Sequence, residues 1–240
     1  MTSPAQTSND LRGRLHEVRS RIERAAKKSQ RAPSDVQFVA VSKTHPVEVI
    51  RAAIDLGVTD LGENRVQEAD SKIGEVGRRA ARWHLIGHLQ SNKARRAVQL
   101  FDVIHSLDSV ALARRLERAC EEEDRQELPV LVQVDLGQEA TKSGVTEQEL
   151  PPIVEAIKRS RHLKLTGLMT LPPFFEDTEK VRPFFRRLRE LRNELRSRGE
   201  FSDDGGDLSM GMTHDFEVAI EEGATIVRVG TAIFGEREHK

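Results

Sequence analysis

A lysine stands directly after a short apolar run near the start of the chain. Lys43 follows the run from Val36 to Ser42, and such a run predicts a strand buried on both faces. Desolvation at a strand end favours the neutral amine of a lysine, and that is the form that attacks an aldehyde. Lys43 is therefore a candidate for Schiff-base formation, although a lysine in this place also fits an ordinary solvated loop.

Two segments near the end of the chain have the composition of anion sites. One runs from Ser209 to Thr213 and leads into a helical pattern, and the other is Gly230-Thr231-Ala232 after an apolar run. Hydroxyls, flexible glycines and free N–H groups at a helix start bind phosphate. Each segment alone also fits an ordinary helix cap. Together with a strand-end lysine, the two favour a phosphate site.

Arg228 interrupts the apolar segment from Ile226 to Val229. In a strand its side chain points either outward, to a carboxylate on a helix, or inward. Charged groups are uncommon inside barrels and need partners there. The strand by itself therefore favours the outward orientation.

Eight short apolar runs alternate with helical patterns along the chain. The runs are Val36 to Ser42, Val58 to Gly62, Trp83 to Gly87, Val103 to Ser106, Val130 to Val134, Leu163 to Leu171, Asp207 to Met210 and Thr225 to Val229. Strict alternation favours parallel strands with helical crossovers, and eight units favour closure into a single (β/α)₈ barrel of the TIM type. The alternative, an open doubly wound sheet, is disfavoured because the turn after the first run lacks a glycine fingerprint. A closed barrel brings Lys43, Ser209 and Gly230 to one end.

The chain before the first run predicts an extra N-terminal helix. Leu11, Leu15 and Val18 lie at helical spacing there. Residues 1–8 are polar and are expected to form a flexible tail, leaving residues 9–240 as one domain. Further along, Thr146 and Glu149 form a capping-box pattern ahead of another helix.

Composition excludes several classes of function. Lys and Arg number 38 against 39 Asp and Glu, so the basic excess of a general nucleic-acid binder is missing. The one cysteine, Cys120, fits a reducing compartment, and the polar start of the chain indicates neither a signal peptide nor a membrane span. We expect a cytoplasmic protein, a monomer, with no nucleic-acid or membrane partner.

Other chemically suggestive residues have simpler interpretations. His84 and His88 have metal-like spacing but no third ligand nearby, so packed or hydrogen-bonded histidines are favoured and no metal is expected. Cys120 lies on the apolar side of its helix, which indicates structural burial.

Several motifs in order resemble one known family. They are Val39-Ala40-Val41-Ser42-Lys43-Thr44, Gly62-Glu63-Asn64-Arg65-Val66-Gln67-Glu68, Trp83 to Lys93, Gly167-Leu168-Met169, Ser209-Met210-Gly211-Met212 and Val227-Arg228-Val229-Gly230-Thr231. Together they resemble the pyridoxal phosphate homeostasis proteins, which are similar to the barrel domain of alanine racemases. The resemblance covers the chain from about Leu11 to Arg237. It departs at Thr213, where the family has serine, and at Arg65, where an aromatic is common.

The resemblance implies a site for pyridoxal 5′-phosphate (PLP), with no catalytic or metal residues. Lys43 would hold the cofactor aldehyde as an internal aldimine, and Asn64 would line the pocket. The phosphate would lie on Ser209, Gly230 and Thr231, with Met210 in the same turn counted among the binding residues. Arg228 would point inward to the pyridine nitrogen, which reverses the orientation favoured by the strand alone.

Three functions are compatible with such a site. The favoured one is a non-catalytic carrier that buffers PLP, supplies apo PLP-enzymes and supports vitamin B6 and amino-acid balance. A racemase or decarboxylase is the alternative, but the chain contains no tyrosine to serve as the opposing base, and we expect no room for a second domain after the eighth strand. A class I aldolase would leave Arg228 unexplained.

Overall fold

The strands form a closed parallel barrel. The structure is a computed structural model and describes residues 4–137, 143–202 and 205–235, with side chains from residue 10 onward. Neighbouring strands pair in the order of the chain, and β1 pairs with β8 to close the ring. The strands are β1 Gln37–Val41, β2 Asp60–Glu63, β3 Arg82–Leu85, β4 Val103–Leu107, β5 Leu128–Gln133, β6 Leu163–Met169, β7 Asp207–Met212 and β8 Ile226–Val229. The predicted (β/α)₈ barrel is confirmed.

Helices cover the outside of the barrel. They are α1 Pro4–Lys28, α2 Val47–Asp55, α3 Val66–Val76, α4 Ala94–Leu100, α5 Val110–Glu122, α6 Leu150–Lys158, α7 Arg182–Ser197, α8 Phe216–Glu221 and α9 Thr231–Phe234. Between Thr146 and Glu149 only half of the predicted capping box forms: the Glu149 carboxylate accepts from the Thr146 N–H, and α6 begins one residue later. In the part of the chain described here, no helix is long and apolar enough to span a membrane.

The N-terminal helix is present but begins earlier than predicted. Its backbone is helical from Pro4, so residues 4–8 extend the helix, whereas residues 1–3 lie outside the described part. Proline is tolerated in a first helical turn, and added residues propagate an existing helix at little cost. The buried face that carries Leu11 and Leu15 packs against α8 and α9, and Arg21 makes a bidentate ion pair with Glu217 of α8.

The barrel has two apolar layers of unequal size. The larger layer lies between the strands and the helices and includes Trp83, Phe185 and Phe216. The smaller one is a separate cluster of residues that point inward: Val39, Val103, Leu131, Met169 and Ile226. Because side chains alternate along a strand, Arg228 shares the inward face with Ile226. The interior is therefore only partly apolar.

Close packing of β6 on β7 yields a prediction about stability. A Cβ added at Gly167 would lie 2.3 Å from the Asp207 carbonyl oxygen. Gly167→Ala should therefore destabilise the protein by about 1–3 kcal/mol through overpacking, measured by urea unfolding. The control is Gly13→Ala in α1, where a Cβ meets nothing within 4 Å and where alanine should add about 0.5–1 kcal/mol. Equal effects of the two substitutions would contradict this account of the strand contact.

Candidate functional site

Lys43 lies at the carboxyl end of the barrel, just beyond the last residue of β1. The Ser42 N–H donates to the Gly62 carbonyl at 3.0 Å and continues the pairing of β1 with β2. Lys43 itself is half-buried, and Thr44 after it has a positive φ of 67°. The positive φ turns the chain sharply directly after the lysine. A threonine adopts this left-handed conformation only where the surrounding structure stabilises it.

A cluster of three ionisable residues lies beside Lys43, and two of its members bond to the backbone on either side of the lysine. We call Glu63, Glu68 and Lys72 the Lys72 cluster. Lys72 Nζ donates to the Ser42 carbonyl oxygen at 2.6 Å, to Glu63 Oε1 at 2.8 Å and to Glu68 Oε1 at 2.7 Å. Glu68 Oε1 also accepts the N–H of Thr44. The residues before and after Lys43 are therefore tied to one buried ammonium group.

The two carboxylates of the Lys72 cluster have opposite pKa shifts. Glu63 is fully buried, and this burial raises its pKa in spite of Lys72 and the hydroxyl of Ser42. Burial alone would also raise the pKa of Glu68, but hydrogen bonds from Lys72 and the Thr44 N–H outweigh it and lower the pKa. Glu68 thus remains ionised through the neutral range, and the cluster depends on Lys72 as its cation.

The loops after β7 and β8 meet at the same end of the barrel. Gly211, near the end of β7, has a φ of 90°, and a Cβ there would lie 2.5 Å from the Cβ of Ala219. The Thr213 hydroxyl accepts the N–H of Ala232 at 3.4 Å, which joins this loop to the one carrying Gly230 and Thr231. The Thr213 hydroxyl and the Gly230 backbone therefore lie at the same end of the barrel, beside the end of β1 that leads into Lys43.

Arg228 points into the barrel and is buried. Its Nη1 donates to Ser209 Oγ at 2.5 Å, and its Nη2 donates to the Thr170 carbonyl oxygen at 2.9 Å. Burial lowers its pKa to about 10, while the charge of Asp215 acts in the opposite direction. No carboxylate among the described residues accepts a hydrogen bond from it. The outward orientation favoured by the isolated strand is wrong, because β8 places Arg228 in line with the inward-facing Ile226.

Two residues predicted to bind the cofactor lie within β7. The Ser209 hydroxyl is fully buried in the interior, between Arg228 and His105. Met210 is the next residue along the strand and packs in the layer between barrel and helices. The physical reason for their different surroundings is the alternation of side chains along β7, which continues to Met212.

Asn64 stands where β2 ends, close to the end of β3. A Cβ on Gly87 would lie 2.4 Å from the Asn64 carbonyl oxygen, so the backbones touch there. The side-chain Oδ1 of Asn64 is buried and has no hydrogen-bond partner among the described residues. A cavity of about 590 Å³ opens beside it, lined in part by Arg65, His88 and Lys93.

The alternative sites considered from the sequence have structural roles. His84 is buried and hydrogen-bonded, as its strand position predicted, and His88 is exposed and contacts Asp108 at 3.0 Å. Within the described ranges no three His, Cys, Asp or Glu side chains gather as a metal site would require. Burial raises the pKa of Cys120 to about 11, which confirms its structural interpretation.

Comparison with known proteins identifies the family. Residues 14–238 match the model of the alanine racemase N-terminal domain. A pyridoxal phosphate homeostasis protein of Aquifex aeolicus is 44% identical over 94% of this chain and 98% of its own length, and that of Escherichia coli K12 is 39% identical over 96% and 98%. This chain belongs to that family.

A solved structure of PipY from Synechococcus elongatus with PLP bound supports the relationship. It is 38% identical, covers 94% of this chain and all of its own, and superposes with a TM-score of 0.82. The motifs read from the sequence as a resemblance to pyridoxal phosphate homeostasis proteins therefore identified the family correctly. The matches to the family model and to PipY each include nearly all of the barrel.

Sequence reasoning about this family member missed three kinds of residue. Thr213 was included in the candidate anion segment but not among the predicted binding residues, although its hydroxyl joins the segments after β7 and β8. Glu68 and Lys72 are four residues apart on a helix, which is the spacing of an ion pair, yet their contacts with the Lys43 loop have no local signal. His105 lies in an otherwise apolar run, and that polar interruption was the available sign.

The Lys72 cluster leads to a second prediction. Lys72→Met should destabilise the protein by about 3–5 kcal/mol, because it leaves the buried carboxylate of Glu63 without its cation. Lys27→Met is the control, since Lys27 makes an exposed pair with Glu23 and its replacement should leave stability nearly unchanged. Denaturant unfolding of both variants is the measurement. A Lys72→Met protein as stable as the control would show that the buried cluster contributes nothing.

Proposed function

We propose that this protein binds PLP at the barrel mouth, with the cofactor aldehyde attached to Lys43 Nζ, and that it carries and buffers the cofactor. In this proposal it acts in the cytoplasm as a monomer, supplies apo PLP-enzymes and thereby supports vitamin B6 and amino-acid homeostasis. The observation that carries the proposal is the position of Arg228. Its guanidinium is buried inside the barrel with neutral hydrogen-bond acceptors, and Lys43 lies at the end of a neighbouring strand at the barrel mouth. The names of the relatives and the PLP in PipY support it.

The residues present fit the chemical groups of PLP. The cofactor supplies an aldehyde that condenses with an amine, a phosphate dianion and a ring nitrogen with a lone pair. Lys43 is the amine, and the Thr213 and Thr231 hydroxyls with the Gly230 backbone offer donors to the phosphate. Arg228 retains N–H groups beyond those bound to Ser209 and Thr170.

Asn64 supplies a further test of this fit. Its Oδ1 is a buried acceptor without a partner, and burying such a group costs free energy unless a partner satisfies it. A ring hydroxyl is a donor of the required kind. Asn64 follows β2, which pairs with the strand that leads into Lys43. The unpaired Asn64 Oδ1 therefore favours an aromatic ligand with a hydroxyl group at the barrel mouth.

The role of Arg228 favours carriage over catalysis. With a pKa of about 10 it remains protonated at neutral pH, so it donates a hydrogen bond and holds its proton. A ring nitrogen facing it stays unprotonated, which weakens the electron withdrawal that carbanion chemistry needs. Exchange of Lys43 for an incoming amine requires no ring proton and provides the route by which the cofactor would leave.

The attachment point is tested by chemical trapping. Purified protein loaded with PLP should absorb in the visible range and, after borohydride reduction and peptide mapping, carry the pyridoxyl group on Lys43. Lys43→Ala should lose the adduct and keep its fold, because a half-buried mouth residue contributes little to stability. Lys93→Ala, at the adjoining cavity, is the control and should retain the adduct. An adduct on any other lysine in the unaltered protein would refute the assignment.

The phosphate loops are tested by comparing two ligands. Thr213→Val and Thr231→Val should each weaken PLP binding by a factor on the order of ten, since a hydrogen bond to a charged group contributes about 1.5–3 kcal/mol. Binding of pyridoxal, which lacks the phosphate, should be unchanged. Ser209→Ala is the contrasting variant: it should weaken both ligands alike, because its hydroxyl contacts Arg228 and not the loops. Equal weakening of both ligands by the threonine variants would place the phosphate elsewhere.

A further inference from the structure

A line of buried polar groups runs through the barrel from Arg228 to the opposite end. Ser209 Oγ lies 2.9 Å from His105 Nδ1, His105 Nε2 lies 2.9 Å from His84 Nδ1, and His84 Nε2 lies 2.9 Å from Asp60 Oδ1. Asp60 is the first residue of β2, at the amino end of the barrel. We call Asp60, His84, His105, Ser209 and Arg228 the polar chain. Its members come from five different strands.

The charges at the two ends dictate where each hydrogen lies. Burial alone would raise the pKa of Asp60, but hydrogen bonds from His84 and Thr59 outweigh it and lower the pKa, so Asp60 is an ionised acceptor. His84 must then donate from Nε2. Burial lowers the pKa of His84 and holds that of His105 well below its usual value, so both rings are neutral.

A neutral histidine has one donor and one acceptor nitrogen. His84 therefore accepts at Nδ1 from His105 Nε2, and His105 accepts at Nδ1 from the Ser209 hydroxyl. Ser209 Oγ in turn accepts from Arg228 Nη1, which can only donate. The opposite arrangement would set a histidine acceptor against the Asp60 carboxylate at 2.9 Å. All donors thus point from Arg228 toward Asp60.

This arrangement has an electrostatic consequence for Arg228. The nearby charges that act on the polar chain include Arg82 beside the histidines and Asp215 near the guanidinium. No carboxylate in the described ranges touches Arg228, so its first partners are a hydroxyl and a carbonyl. Hydrogen bonds in a row polarise one another in a low-dielectric interior. The negative charge of Asp60 thereby strengthens Ser209 as an acceptor for the buried cation.

We propose that the polar chain is a positioning device: Ser209, His105, His84 and Asp60 hold the Arg228 guanidinium so that its remaining N–H groups face the ring nitrogen of a bound pyridoxal. This inference rests on the proposed function and names residues that act through Arg228. An interior filled with aliphatic side chains would close the barrel without the desolvation of five polar groups. The polar chain ends on Arg228, the buried cation that faces the proposed ligand.

The test separates positioning from mere packing. PLP and its 1-deaza analogue, in which C–H replaces the ring nitrogen, are compared by equilibrium binding. The unaltered protein should prefer PLP by a factor on the order of ten, the value of one charge-assisted hydrogen bond. His105→Leu should abolish this preference. Leu131→Ala, an inward residue outside the polar chain, is the control and should retain the preference even where it lowers stability.

Ser209→Ala is the second variant, because it removes one hydroxyl and should fold even if His105→Leu does not. It too should lose the preference for PLP. A preference that survives in either folded variant overturns the proposal. Nitrogen-15 spectra of the unliganded protein give an independent check: both buried histidines should carry their proton on Nε2, and an Nδ1–H form of either would also overturn it. Failure of the unaltered protein to yield any borohydride adduct would instead refute the proposed function.

Discussion

Burying a guanidinium group inside a closed β-barrel has a large desolvation cost, several kcal/mol unless hydrogen bonds compensate for it. Arg228 is 2% exposed, and its two contacts are with neutral oxygens. The surrounding structure answers this constraint with a hydroxyl and a backbone carbonyl as acceptors. Ser209 is satisfied only through His105, and the line of donors ends only at the ionised carboxylate of Asp60. The polar interior and the reduced apolar cluster within the barrel follow from this one buried cation.

A second constraint acts at Lys43, at the end of β1, which pairs with the strand that carries Arg228. The side chain of a lysine at a strand end can adopt many conformations. Formation of a covalent bond requires that its amine be held near the reacting atom, so few of these conformations are productive. The Lys72 cluster reduces that freedom by holding the backbone before and after the lysine. The two arrangements share one strand: β2 begins with Asp60, which anchors the polar chain, and ends with Glu63, which anchors the Lys72 cluster. A four-residue strand thus supports both the covalent residue and the cation of the proposed site.

Local patterns in the sequence predicted the fold well, because each strand of a parallel barrel is a short apolar run and each crossover is an amphipathic helix. They also placed Lys43 and Gly230 at the correct end. The direction of each side chain depends on the register of its strand. Ser209 and Met210 were placed in the seventh strand, and because β7 extends to Met212, alternation sends the first side chain inward and the second outward. No local signal gives the contact of His105 with Ser209, since 104 residues separate them.

In the proposed function, Arg228 makes this barrel a carrier of PLP and a poor catalyst. The most direct measurement is exchange of the α-proton of L- and D-alanine with deuterated water in the presence of the PLP-loaded protein, monitored by mass spectrometry. Transfer of the cofactor to an apoenzyme is measured in the same samples. The account predicts transfer of the cofactor with α-exchange no faster than that with free PLP in the same buffer. Rapid exchange with turnover would contradict it, because a ring nitrogen hydrogen-bonded to a protonated arginine should not stabilise the carbanion that exchange requires.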